Sequence, residues 1–346
     1  MLWHFSGSSS EISDRHRART TLGLSFLVFG LFMLVLTGCD SEAMLSSDAS
    51  ERDTALRVLG TDARMMGYVD VHDQMAFSQD VMADNADMAE AFDEAMTRIR
   101  EMSGVQLDQD VHGVYVAVSN FEENADGAVV AFVDFDQDAV AAAVASEEEF
   151  VRIDSDWPVD AFTVRNHEKD VSFAFAEGSF VMLANSETKL RSMLDRAYDQ
   201  SAPVSMDPMM AAVADRSSWM VVRNLDQYVS DMGDENFTGD AAMLRPLMTS
   251  LQDIAVGMDQ DAESVESELL IRPVSSVEVE DYANLMSGIR AMLRLQMRDM
   301  EFARDMVDRI DIEATDEWVT LEMSVEREEL EELEARIREE MTGRWN

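Results

Sequence analysis

A chain of 346 residues, 47% of them hydrophobic, has the length for one large domain or two ordinary ones and too much apolar material to stay disordered. Seventy acidic residues stand against 27 basic ones, a net charge of −43 spread along the whole length, so no basic stripe is left to bind nucleic acid. A single cysteine excludes a disulfide framework.

The first segment predicts an export leader over residues 1–38. Arg15, Arg17 and Arg19 form a positive start, and Leu22 to Thr37 is almost wholly apolar. That run falls short of the ~20 residues that cross a bilayer as a helix. It closes on Leu36-Thr37-Gly38-Cys39, in which small residues precede the only cysteine. These four residues resemble the lipobox of bacterial lipoproteins. The resemblance implies cleavage before Cys39, thioether lipidation of its sulfur and acylation of the new amino terminus, with two or more chains giving a stable anchor. Asp40 resembles the inner-membrane sorting signal of some Gram-negative lipoproteins, a rule that differs between lineages, so the choice of membrane stays open. Residues 39–50, rich in Ser, Asp, Glu and Ala, read as a tether.

The body reads as one unit used twice, over residues 51–203 and 204–346. Each copy opens with a short helix. Ser50 is the expected cap of the first, and Asp207 that of the second, with Pro208 at the first helical position. Strands follow over Met65–Val71 and Trp219–Leu225, and the Asp-Gln pairs Asp73-Gln74 and Asp226-Gln227 align the copies. Spacings of three and four predict amphipathic helices through Met88, Phe92, Met96, Ile99 and Met102, and through Leu244, Leu247, Leu251 and Ile254. Two strands come next in each copy: one through Val114, Val116 and Val118 with another over Ala128–Phe135, then Ile254–Met258 with Val265–Ile271.

Helices over Asp138–Ser146 and, much longer, Val279–Val307 lead into closing hairpins. The hairpin strands are Phe173–Ala176 with Phe180–Ala184, and Ile310–Thr315 with Trp318–Ser324. Final helices through Leu190 and Leu194, and through Leu330, Leu333, Ile337 and Met341, take Ser186 and Ser324 as caps. Strands returning by hairpins with helices between them predict an α+β fold of two similar tandem halves, each a mainly antiparallel sheet covered by helices. This order of elements, with the lipobox, resembles duplicated α+β envelope lipoproteins of unknown function. The even acidity and the near-absence of lysine (Lys169 and Lys189 alone) resemble proteins of salt-loving bacteria, in which molar salt screens self-repulsion. Binding of cations or of a basic partner is the other reading of that charge.

Searched for chemistry, the body offers little. Asp134, Asp136 and Asp138 alternate as a calcium loop begins, but Ala139 and Ala145 stand where that loop needs Gly and a bidentate Glu, so a strand end followed by a helix cap is expected. His72, His112 and His167 are far apart and lack metal-ligand spacing, and no metal or cofactor is expected. The sequence holds no nucleophile elbow, P-loop or dinucleotide fingerprint. Twenty-seven methionines, many on predicted helices, suit core filling or an adaptable apolar groove. The expectation is a non-enzymatic envelope protein, held at a membrane by lipidated Cys39 on the periplasmic side or cell surface, with a structural, assembly or interaction role and an envelope protein as partner. The alternative is a binding module or carrier for an apolar ligand, such as a lipid, in a cleft between the halves. A metal-dependent hydrolase stands third.

Overall fold

The computed structural model describes residues 49–72, 97, 100, 106–120, 126–134, 136–145, 150–154, 157–164, 171–176, 179–199, 204–231, 245–260, 264–275, 277–297, 301–327 and 329. Its frame is one antiparallel sheet of twelve strands. In chain order these are β1 (Met65–Asp70), β2 (Val111–Val118), β3 (Gly127–Val133), β4 (Phe150–Arg152), β5 (Ala161–Val164) and β6 (Val171–Ala176). Then come β7 (Phe180–Ala184), β8 (Ser218–Val222), β9 (Leu251–Gln260), β10 (Ser264–Pro273), β11 (Asp311–Ala314) and β12 (Val319–Glu326). Their spatial order is β11-β12-β10-β9-β8-β1-β2-β3-β7-β6-β5-β4. The described helices are α1 (Ala49–Leu59), α2 (Leu107–Asp110), α3 (Gln137–Ala145), α4 (Glu187–Tyr198), α5 (Pro208–Val213), α6 (Leu225–Asp231), α7 (Val279–Gln296) and α8 (Glu301–Asp308).

The fold is α+β with two similar halves. Read outward from the middle, the first runs β1-β2-β3-β7-β6 and the second β8-β9-β10-β12-β11. The halves meet edge to edge rather than as two sheets. β1 pairs with β8 through Met65↔Val222, Gly67↔Met220 and Val69↔Ser218, so an approximate two-fold axis passes through the Gly67↔Met220 pair. Gly67 is needed there: a Cβ would sit 3.0 Å from the Trp219 carbonyl oxygen. The first half adds the β4–β5 hairpin, which sequence reading missed because strands of three and four residues are too short to show a period.

Helices lie on both faces. α1, α4 and α5 cover one face of the central strands, over a core that includes Met66, Tyr68, Tyr115, Val130, Met182, Met210 and Trp219. Ser186 caps α4 as expected, accepting from the Lys189 amide at 3.2 Å, and Asp207 caps α5, accepting from the Met209 amide at 2.8 Å. Arg196 on α4 donates to the Val58 and Leu59 carbonyls, satisfying the end of α1. On the opposite face α3 covers the first half over Phe162, Phe175 and Val181, and α7 covers the second over Ile271, Leu321 and Val319.

Several elements depart from the sequence expectation. Ser50 lies inside α1, which already includes Ala49. The strand expected to Leu225 stops at Val222, and Leu225 opens α6. Leu251 and Ile254 belong to β9, not to a helix: their spacing of three fits a helix, but pairing of β9 with β8 and β10 claims them for the sheet. The single helix expected over Val279–Val307 is two, α7 and α8. Ser324 is a residue of β12 and caps nothing there. Of the helix expected through Met88, Phe92, Met96, Ile99 and Met102, those five residues lie outside the described residues, as does the closing helix from Leu330.

Candidate interaction surface

The surface that departs most from the rest of this acidic chain is α7. Its first turn carries Glu280 and Asp281 and its last turn Arg294, the arrangement that a helix dipole favours. One side of the helix buries Tyr282 and Met286 on the sheet. The other side is apolar as well. Leu285, Met292 and Leu295 are 47%, 51% and 73% exposed. With Gly288 between them they recur at i, i+3, i+7 and i+10, which is one helical stripe. No described atom comes within 4 Å of where a Gly288 Cβ would be.

The second wall is α8. Arg290 donates to the Ile310 carbonyl, and the Arg294 guanidinium pairs with Asp308 at 3.2 Å, which ties the two helices together. Between them lies a groove of about 750 Å³, lined by Ser287, Arg290, Ala291, Arg294, Leu295 and Arg304 among others. Sequence reading placed Met286, Met292 and Met297 on this helix but not the solvent-facing stripe. A signal was present in the acid pattern: residues 282–298 contain no acidic side chain, the longest such run after the leader.

The other candidates behave differently. Cys39 and Asp40 lie outside the described residues, as does His167. The structure brings His72 and His112 together, with ring centres 5.8 Å apart, and puts His112 Nε2 3.0 Å from Asp134 Oδ2. The antiparallel register of β1 on β2 does this by setting Asp70 opposite Gly113, a long-range pairing that local spacing could not reveal. Among the described residues no group of three His, Cys, Asp or Glu converges as metal ligands. Asp136 Oδ1 accepts from the Ala139 amide at 3.0 Å, so the alternating aspartates end in a helix cap.

Two arginines are tied down by acids at either end of β9. Arg272 pairs with Asp253 at 2.8 Å and lies over the Trp318 ring, while Arg216 pairs with Asp259 at 2.7 Å and Glu268 at 3.1 Å. Burial disfavours both charges, but the hydrogen bonds and nearby carboxylates outweigh it and hold both guanidinium pKa values above the usual range. Both fasten strands and loops of the second half. Where the halves join, β1 and β8 are hydrogen-bonded neighbours.

The fold and this surface define an α+β protein on a single twelve-stranded antiparallel sheet, built from two halves of like strand order. No helix among the described residues is long and apolar enough to cross a membrane. No protein-family model matches the chain, and no curated protein matches it. Among solved structures it is similar to TP0453. Crystal forms III and IV of that protein give TM-scores of 0.48 at 11% identity, covering 80% and 82% of this chain and 95% and 96% of that one. Crystal form I gives 0.44 at 12% identity.

Proposed function

We propose that this is a lipid-anchored envelope protein with a non-enzymatic role in assembly or interaction. The observation that carries this is the apolar leader closing on Leu36-Thr37-Gly38-Cys39. Two acyl chains or more on Cys39 hold a body of this size at a membrane, where one chain alone would not. The interaction role draws its support from the exposed stripe of α7, since large apolar side chains grouped on one surface mark a place where something docks. The even acidity belongs to the solvent, not to a ligand: it keeps the body soluble in concentrated salt.

Metabolic labelling with a fatty-acid probe, followed by membrane fractionation, tests the anchor. The native chain takes up label and pellets with membranes, and Cys39→Ser takes up none and changes fraction. Equal label and equal pelleting in both would overturn the reading.

A further inference from the structure

We propose that Met292 is a modification site: hydrogen peroxide converts its thioether to the sulfoxide ahead of the other described methionines, and a thiol-driven reductase returns it. The chemistry stands on the exposure of this one side chain. Its consequence for docking rests on the interaction role proposed for α7 and goes beyond it by assigning a reaction to that surface.

The first observation is access. In a chain with 27 methionines, Met292 is the most exposed among the described residues, at 51%. Met286 lies on the same helix, turned onto the sheet, and is 9% exposed. Met182, Met193, Met209 and Met210 are fully buried. The surface beside Met292 is open, since it follows Gly288 by one turn on the same face and no described atom comes within 4 Å of a Cβ at Gly288. Oxidation of sulfur side chains follows their exposure.

The second observation is the lack of a competitor. Thiolates are the usual first target of a peroxide, and Cys39 is the only cysteine. With its sulfur held in a lipid thioether, the body has no thiol to react first. The third is charge, which selects the oxidant. Hydrogen peroxide is neutral, so a net charge of −43 does not hold it away as it would an anionic oxidant.

The step balances with the peroxide as oxidant. A lone pair on the Met292 sulfur attacks one peroxide oxygen, the O–O bond breaks and the S–O bond forms. The other oxygen takes up the remaining proton and leaves as water. On return, a pair of thiols gives up its electrons and becomes a disulfide, and the sulfoxide oxygen leaves as water. A sulfoxide is polar, and Met292 stands between Leu285 and Leu295. Oxidation therefore divides the apolar stripe while the side of α7 that buries Tyr282 and Met286 is left as it was.

The purified full chain, held in a mild detergent, is treated with hydrogen peroxide in excess, and peptide mass spectrometry follows each sulfoxide with time. Met292 is expected to react at least about fivefold faster than Met286, following the ratio of their exposures, 51% to 9%. Methionine sulfoxide reductases for the two epimers, with dithiothreitol as the thiol, should restore the thioether. The melting temperature should be the same before oxidation, with Met292 alone oxidised, and after repair. Equal rates at Met292 and Met286, a sulfoxide that the reductases leave in place, or a lower melting temperature with Met292 alone modified would each overturn the assignment. Met292→Leu should leave Met286 at its slow rate; a Met286 that then reacts as fast as Met292 does in the native chain would show that exposure in the fold does not choose the site. A Cys39 without lipid would defeat the anchor and leave these rates unchanged, so the two readings fail separately.

Discussion

The outer strands of the two halves share an order and little else. In the first half, both faces of β6 and β7 are apolar. Ala174, Ala176, Phe180 and Met182 join the core under α1 and α4, while Phe173, Phe175 and Val181 face the α3 side. In the second half the faces differ, and Leu270 of β10 joins that core from the reverse face. Leu269, Ile271, Val319 and Leu321 meet α7, but the reverse side of β10, β12 and β11 carries Glu266, Glu268, Glu322 and Asp311. Register places Glu268 directly opposite Glu322, and Glu322 opposite Asp311, so three carboxylates lie in one row across three strands. Like charges in such a row repel. One topology thus carries an apolar interior in the first half and a row of carboxylates in the second.

The strongest way to break the comparison is to cut where the halves join. Trp219 on β8 is 1% exposed and packs against Tyr115 of the first half, ring centres 6.4 Å apart. Trp219→Ala is expected to cost about 3–5 kcal/mol, the usual range for emptying a buried aromatic site. Because the sheet is continuous through β1 and β8, both halves should lose stability together. Chemical denaturation followed by far-UV circular dichroism checks this: one transition at lower denaturant fits a single cooperative body, and two resolved transitions would mean that the halves fold separately.

A smaller change sharpens the description of the first half. Ser172 is fully buried on β6, and its hydroxyl meets that of Thr163 on β5 at 2.9 Å. Ser172→Ala leaves the Thr163 hydroxyl without that partner and is expected to cost about 1–3 kcal/mol. The loss should be the same in 0.1 M and in molar KCl, since two neutral groups are involved. A loss that changes markedly with salt would show that this region is not part of the apolar interior of the first half.

What could be read from sequence follows the same division between local and long-range causes. The hairpin of β6 and β7, the β11–β12 pair, the Ser186 cap and the Asp207-Pro208 start depend on neighbours within a few residues, and each was legible. The edge-to-edge join of β1 and β8 depends on residues 150 positions apart, roughly, and only the likeness of the two halves hinted at it. The meeting of His72 with His112 needed the β1–β2 register. Leu251 and Ile254 misled because their spacing fits a helix, while the pairing of β9 with both β8 and β10 claims them for the sheet. For α7 the helix was legible and its second apolar face was not. Period alone marks a stripe, and it takes the sheet beneath to say which stripe is already used.

The smallest expected effect bears most directly on why the second half can be so acidic. Glu322→Lys puts a cation beside Asp311 and exchanges a like-charge neighbour for an attractive one there, while Glu268 on the other side is already paired with Arg216. Cross-strand pairs of this kind are worth about 0.2–1 kcal/mol each, so the variant should melt above the native protein in 0.1 M KCl. Glu322 is exposed, and exposed charges are screened over ~10 Å at 0.1 M but only ~3 Å at 1 M. The advantage should therefore shrink in molar KCl, while the native protein itself melts higher there. Thermal melts of both chains in the two salts decide the matter. If the native melting temperature falls with added salt, the acidity is not an adaptation to salt. If the Glu322→Lys advantage persists undiminished, the row of carboxylates is held by something other than screening, and bound cations or a basic partner become the better account of the charge.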